Sequence, residues 1–408
     1  MRIVLSGEGT RGDLQPLIEL GARLGAVGHD ALVCGPPDFA AQAEASGVAF
    51  HALGINFRDF VVERAEIINS SAAGMIRESI KHLREQLGKR VADLVALTRD
   101  ADLIVAGGAE MAASSAAERN GIAYRYVAYC PALFPSSEHA PAFVPWQRLP
   151  GWGNRLAWPL VMTPITAAVR RVLAPARRSV GLPPARDVLR LFFGERPLLA
   201  AESVLARPPA DGSMHLEQVP ALHPLAGDAL PAKLASFLEA GPAPVYFGFG
   251  SMPDANAAAT TRTILDAVGT LGCRAVIGSG WAKLGDGALP EGVMAIGAVS
   301  HPELFARCAA IVHHGGAGTT TNAARSGVPQ VLVPHIADQF YWARRVNLLG
   351  LGPPALRKRQ FRADRLVAAL GAILDNEVVA ERAREIGERL RNEARSIDPV
   401  AALLESKG

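Results

Sequence analysis

The stretch that decides the fold is "AAIVHHGGAGTTTNAARSG", residues 309–327. An apolar run of strand character enters two histidines, then glycines at 315, 316 and 318, then threonines at 319–321, then a helix expected over 318–326. Glycines let backbone N–H groups approach an anion with no Cβ in the way, and the helix that follows points its positive end at the same place. Thr319 and Thr320 can add hydroxyl donors, and His314 can donate to a phosphate oxygen. No lysine follows the glycines, so this is not a P-loop, and phosphoryl transfer is disfavoured. A plain turn of small residues is the competing architectural reading.

Working outward, "PHIADQFYW" follows at 334–342. Asp338 and Gln339 are expected to open a helix over 337–349. A carboxylate beside an amide suits the hydroxyls of a sugar ring, one accepting and the other both donating and accepting. The alternative is that Asp338 is only the helix cap. Upstream, "PVYFGFGS" (244–251) is a strand ending in a Gly-Ser turn. Helices are expected at 255–271 and 301–307, and strands at "RAVIGSG", "VMAIGAV" and "PQVLVP".

The first half alternates in the same way. "RIVLS" is a strand and 14–27 a helix. "DALVCG" is the next strand and 38–46 the next helix. A long amphipathic helix covers 74–98, followed by a strand at 102–107, a helix at 109–120 and a strand at 123–129. Strands alternating with helices predict parallel sheets covered on both faces. The period is lost at 130–160, where prolines and tryptophans cluster; such a loop in a compact domain is often functional. The Pro/Ala/Gly-rich 205–244 stretch reads as the linker between two α/β units, whose ligand would lie in the cleft between their strand ends.

Composition limits the rest. The 408 residues suggest two domains, and 49% hydrophobic against 20% charged residues suffices for two cores. A net charge of +3 with scattered basic residues gives no nucleic-acid footprint, and the densest run, "RKRQFR" at 357–362, reads as a solvated face. No signal peptide is evident at "MRIVLS", and no run approaches the roughly 18 apolar residues of a membrane span. The four cysteines lie far apart, which argues against a disulfide framework or metal site and fits a reducing cytoplasm.

"GEGTRG" (7–12) matches the G-x-G-x-x-G dinucleotide pattern, but the acidic residue expected after the second strand is missing: Asp38 comes several residues too late. Asp13 also adds an anion to that turn. A carboxylate at a helix N-terminus is held in its charged form, which weakens it as a base. Ionisation is nevertheless the resting state a base needs, and desolvation would sharpen it. Capping of a helix beginning at Leu14 is the simpler alternative.

Taken together, "HHGGAGTTTNAARSGVPQVLVPHIADQ", "GTRGDLQPLIEL", "PAPVYFGFGS" and "GSGWAKL" resemble nucleotide-sugar glycosyltransferases of the GT-B type. These have two facing Rossmann-like α/β domains and an interdomain cleft. The likeness is strongest to the actinobacterial enzymes that glycosylate glycopeptide and other natural-product aglycones, with sterol glucosyltransferases next. The resemblance implies an acceptor-binding domain at 1–215, with a C-terminal helix at 391–408 packing back on it, and a donor-binding domain at 216–390. It implies Asp13 as general base. Ser251, His314, Gly316, Gly318 and Thr319 would hold the donor diphosphate, Trp281 and Val299 the base, and Asp338 and Gln339 the donor sugar. Arg11, Tyr129, Phe134, Trp146 and Trp152 would form the acceptor pocket. The expected reaction is inverting transfer of a hexose from a UDP- or dTDP-sugar to an apolar small-molecule hydroxyl. No metal or other cofactor is expected, nor any partner beyond a peripheral membrane or a second copy. Asn322 stands where plant relatives carry a ribose-binding Glu, so the choice of uridine or deoxythymidine is open. A sugar-nucleotide epimerase, a hydrolase or binding subunit, and a nicotinamide oxidoreductase are the rival readings.

Overall fold

The computed structural model describes residues 1–64, 67, 72–252, 254 and 256–405. The chain divides into two compact units, Met1–His223 with Ile397–Gly408, and Pro224–Ser396. Each is a parallel sheet with helices on its faces.

The first unit holds β1 (Arg2–Glu8), β2 (Asp30–Gly35), β3 (Ala49–Ala52), β4 (Leu103–Gly108), β5 (Ala123–Ala128), β6 (Leu198–Ala200) and β7 (Glu217–Val219), in the order β3-β2-β1-β4-β5-β6-β7. Strand β1 shows why the sheet is parallel. Ile3, Val4 and Leu5 are all fully buried although they alternate between faces, the signature of a strand covered on both sides. Leu5 stands opposite Val33 on one neighbour and Val105 on the other. The helix Arg11–Ala26 buries Leu14, Leu17, Ile18 and Leu24, a three-to-four spacing, against this sheet.

The second unit holds β8 (Val245–Gly248), β9 (Ala275–Gly278), β10 (Val293–Ile296), β11 (Ala310–His313) and β12 (Gln330–Leu332), ordered β10-β9-β8-β11-β12 and parallel throughout. Phe247, Ile277 and Val312 pack on one face with Ile264 and Leu370. Tyr246, Val276 and Ile311 pack on the other with Leu304 and Phe305. In each sheet the strand order reverses beside the first strand, at β1/β4 and at β8/β11. Ligands of open α/β sheets bind outside the carboxyl ends of the strands at such reversals.

Three expectations need correction. The 130–160 stretch is not loop to its end, because a helix runs from Gly151 to Ser179 and carries Trp152 and Trp158. Its prolines at 159, 164 and 175 lie inside the helix and mask its period, yet it packs along the helix Ala72–Leu97. The 205–244 stretch is not simple linker. It supplies edge strand β7 and the helix Ala232–Glu239, and the units divide between His223 and Pro224. The helix after β1 begins at Arg11, not Leu14.

Other elements differ by a few residues. The helix expected at 255–271 is Ala257–Leu271, Ala255 lying outside the described residues. Residues 391–396 end the helix Glu377–Ser396 of the second unit. The following helix, Pro399–Glu405, places Val400 and Leu403 in the core of the first unit; 406–408 lie outside the described residues. Among the described residues no helix is long and apolar enough to cross a membrane.

Candidate active site

The turn after β11 is built from the strand outward. His313 is wholly buried, its Nδ1 accepts the Gly315 N–H at 3.1 Å, and its Nε2 lies 2.9 Å from Gln330 Oε1. An Nδ1 that accepts leaves the proton on Nε2, so the ring donates to Gln330 and braces the turn as a neutral imidazole. Burial, then the neighbouring His314, pushes it down to about 3. Gly315 has φ +91°, a left-handed conformation that a side chain would strain. The helix Ala317–Arg325 then starts with Gly316 at its N-cap and no side-chain capping bond. Its first-turn amides therefore point outward without a cap, at the positive end of a helix and at the sheet's reversal.

The imidazole of His314 is fitted between two glycines. A Cβ on Gly316 would lie 2.6 Å from its Nε2, and one on Gly250 would lie 3.1 Å from its Cε1. Burial pushes His314 down to about 4. Ser251 follows Gly250, whose carbonyl accepts the Trp281 N–H at 3.1 Å. The turn after β8, the turn after β9 and the glycine turn thus meet at one edge. Thr319 is half-buried in the first helical turn. Thr320 corrects an expectation. Its hydroxyl donates to Gly316 O at 2.9 Å and is wholly buried, so it serves the helix rather than a ligand. Val299, half-buried, packs on the second core cluster of this unit.

Asp338 and Gln339 stand beside this turn, because a Cβ on Gly315 would approach Gln339 O to 3.1 Å. Asp338 is the N-cap residue of the helix Gln339–Leu348 but makes no capping bond. Its Oδ2 instead accepts the Trp342 Nε1–H at 3.0 Å. Burial pushes its carboxyl up to about 6, against the Trp342 hydrogen bond. Gln339 is buried, and its Oε1 accepts the backbone N–H of His335 and of Ile336, at 2.8 and 3.1 Å. It holds the loop from β12 in place, and Ala337 within that loop takes φ +52°. A non-glycine residue in that region is uncommon and concentrates at ligand-binding sites.

In the first unit, Asp13 is the third residue of its helix. Its Oδ2 accepts the Thr10 N–H at 2.7 Å and the Thr10 hydroxyl at 3.2 Å, half of a capping box. Gly9 and Gly108, both at positive φ, close around it: a Cβ would come within 2.6 Å of Asp13 Cγ from Gly9 and 2.7 Å of Asp13 Cβ from Gly108. The Tyr129 hydroxyl donates to Asp13 O at 3.1 Å, and burial, then the Asp13 charge, holds that phenol well above its ordinary range. Arg11 turns its Nε to Gln15 at 3.1 Å. Asp13, Arg11 and Tyr129 therefore share the carboxyl edge at β1/β4. Phe134 is 1% exposed and packs in a tilted pair with Phe193, inside the core rather than on an open pocket wall, whereas Trp146 and Trp152 are 62% and 69% exposed.

Sequence reading missed a buried polar cluster under that edge. Arg90 Nε donates to Glu110 Oε2 at 2.9 Å, Nη1 to Leu53 O and Nη2 to Gly7 O. Ser6 Oγ donates to Glu110 at 2.5 Å, and His82 Nε2 lies 2.8 Å from Glu8 Oε1. Burial opposes charge on Glu110, but Arg90 and the bonds from Arg90, Ser6 and the Ala112 N–H hold it lowered. The cluster joins strand ends β1 and β4 to the helix Ala72–Leu97. Its members are scattered from 6 to 110, so only the fold brings them together.

Two doubly wound units, each presenting a chemistry-bearing edge at its strand reversal, define the GT-B class. Comparison with known proteins names the family. The glycosyltransferase family 28 N-terminal domain matches residues 3–134, and the erythromycin biosynthesis protein CIII-like C-terminal domain matches 262–402. Glycosyltransferase GtfE of Amycolatopsis orientalis is 36% identical over 364 residues, 86% of this chain and 85% of that protein. Vancomycin aglycone glucosyltransferase of the same organism is 34% identical over the same share of each. The crystal structure of glycosyltransferase VinC in complex with dTDP superposes with a TM-score of 0.69 at 21% identity, covering 99% of this chain and 100% of that one. The chain belongs to this family of natural-product glycosyltransferases and is a glycosyltransferase.

Proposed function

We propose that this chain transfers a hexose, with inversion, from a UDP- or dTDP-sugar to a hydroxyl of an apolar natural-product aglycone. The observation that carries the reading is the uncapped helix after the glycine turn of β11, with Asp338 beside it. The dTDP in the VinC complex and the aglycone in the name of the vancomycin enzyme support it. On this reading the second unit binds the donor. Amides at 316–319, with Ser251 and His314, take the diphosphate and stabilise the charge that develops as it leaves. That charge is met by amides and the helix dipole in place of a metal ion. Trp281 and the Val299 segment flank the base, and Asp338 accepts from the sugar hydroxyls while Gln339 holds the loop that presents it.

The first unit binds the acceptor, through the 129–158 region and Arg11. Asp13 takes the acceptor proton as its oxygen attacks the anomeric carbon opposite the leaving diphosphate. The capping bonds from Thr10 fix the carboxylate's position, and closure of the site around a bound acceptor would desolvate it. The test pairs donor-binding calorimetry with product mass spectrometry over an acceptor panel. Asp13→Asn is expected to lower turnover by roughly 10²–10⁴ with donor affinity unchanged. An equal loss of donor affinity, or unimpaired turnover, overturns the base assignment.

A further inference from the structure

We infer that the outer face of the helix Gly151–Ser179 docks the first unit on an anionic lipid surface. The sequence supplies the first observation. Residues 139–186 contain seven arginines and no aspartate or glutamate, in a chain whose net charge is only +3. A block of one sign is the footprint of a surface that meets the opposite sign. The structure supplies the second. At about 100° per residue, Trp152, Leu156, Leu160, Arg170, Arg171 and Arg178 share one sector of the helix roughly 100° wide. Burial follows that division: all six are exposed, whereas Asn154, Trp158, Val169 and Leu173, on the other side, are buried.

The outer sector is divided along its length. Its first half is apolar, with Leu156 and Leu160 62% and 78% exposed beside Trp152. Its second half is basic. Arg170 Nη2 donates to Arg186 O at 3.2 Å, and among the described residues no carboxylate pairs with Arg170, Arg171 or Arg178. The arginines that face other elements are answered: Arg177 Nη2 donates to Glu118 at 2.9 Å, and Arg155 lies 3.7 Å from Asp211. Contiguous exposed apolar side chains mark interaction surfaces. A helix face is convex and has no pocket of the kind in which a protein interface seats its anchors, whereas the headgroup region of a bilayer yields around a ridge. Tryptophan and leucine enter that region, and arginines meet its phosphates. From Trp152 to Arg178 the sector runs roughly 40 Å at a rise of about 1.5 Å per residue. It lies along the surface, since among the described residues no helix is long and apolar enough to cross a membrane.

The test is co-sedimentation of the full chain with vesicles of equal parts phosphatidylglycerol and phosphatidylcholine, and with vesicles of phosphatidylcholine alone. Wild type is expected to bind the anionic vesicles, and less tightly as salt is raised. Trp146 and Trp152 belong also to the proposed acceptor region, so the variants lie beyond it. Leu160→Asp should weaken binding at least tenfold. Removing each charge with Arg170→Gln and Arg171→Gln should weaken it about fivefold, or roughly 25-fold together. All three should keep the circular dichroism spectrum and the donor affinity of wild type. Tryptophan emission should be quenched by lipids brominated in their acyl chains. No binding of wild type to anionic vesicles, equal binding to both vesicle types, binding without quenching, or unchanged binding by the folded variants overturns the proposal. So does self-association of wild type that Leu160→Asp abolishes, with no vesicle binding, since the face would then cover a second copy of this chain.

Discussion

Replacing Asp338 by asparagine is expected to stabilise the second unit while impairing transfer. Burial moves this carboxyl from an ordinary value near 3.8 up to about 6. The native chain therefore holds the proton more tightly than the unfolded chain does. Below about pH 4 both forms are protonated and the site costs nothing. Between about 4 and 6 stability falls as pH rises, because the native state must release a proton it prefers to keep. Above 6 the cost is constant. A displacement of about two on the pH scale, at 1.36 kcal/mol for each, sets a ceiling of about 3 kcal/mol, and partial solvent contact reduces it. Asparagine is never charged, and its carbonyl oxygen can still accept the Trp342 Nε1–H, so the packing survives. Calorimetric unfolding at pH 4 and pH 8 measures this directly, following the transition of the second unit because a two-unit chain does not unfold in one step. The variant should gain about 1–3 kcal/mol over wild type at pH 8 and nothing at pH 4, with kcat/KM for the donor lowered at least tenfold. A variant equally or less stable than wild type at pH 8 would refute the burial argument.

Two further substitutions probe the frames on which the reading rests. Gly316→Ala places a methyl 2.6 Å from His314 Nε2 and must displace the imidazole, so donor affinity measured by calorimetry should fall tenfold or more while the fold, read by circular dichroism, is kept. Glu110→Ala removes the carboxylate that takes Arg90 Nε and Nη2 and leaves Glu8, 3.6 Å from Nε, as the remaining buried carboxylate, so the transition of the first unit should weaken by up to roughly 3–5 kcal/mol in denaturant titrations; a change under about 1 kcal/mol would deny the cluster a structural role.

The glycine turn and the Asp338–Gln339 pair are legible in the sequence because their chemistry is local. Residues 313–320 and 335–339 are contiguous, and glycine, histidine and threonine in that order restrict what the backbone can do. The alternation of strands and helices is legible for the same reason, since each element carries its own period. Three things were not. The helix Gly151–Ser179 carries three prolines, and a rule that prolines break helices hides it. Strand β7 has three residues, too few to show a period. The Glu8, His82, Arg90 and Glu110 cluster spans more than a hundred positions and depends on the register of β1 against β4, which no single stretch encodes. The capping role of Asp13 lies between these cases. Its place near a helix start was readable, but the bond back to Thr10 required the helix to begin at Arg11.

The central claim is that the helix after the glycine turn holds a nucleotide's diphosphate. A crystal structure of the chain soaked with dTDP or UDP tests it most directly. The account predicts phosphate oxygens within hydrogen-bond distance of the backbone amides at 316–319, with the sugar-side phosphate turned toward Asp338. Nucleotide bound against residues 7–12 of the first unit, or absent from the edge at β8 and β11, would contradict it.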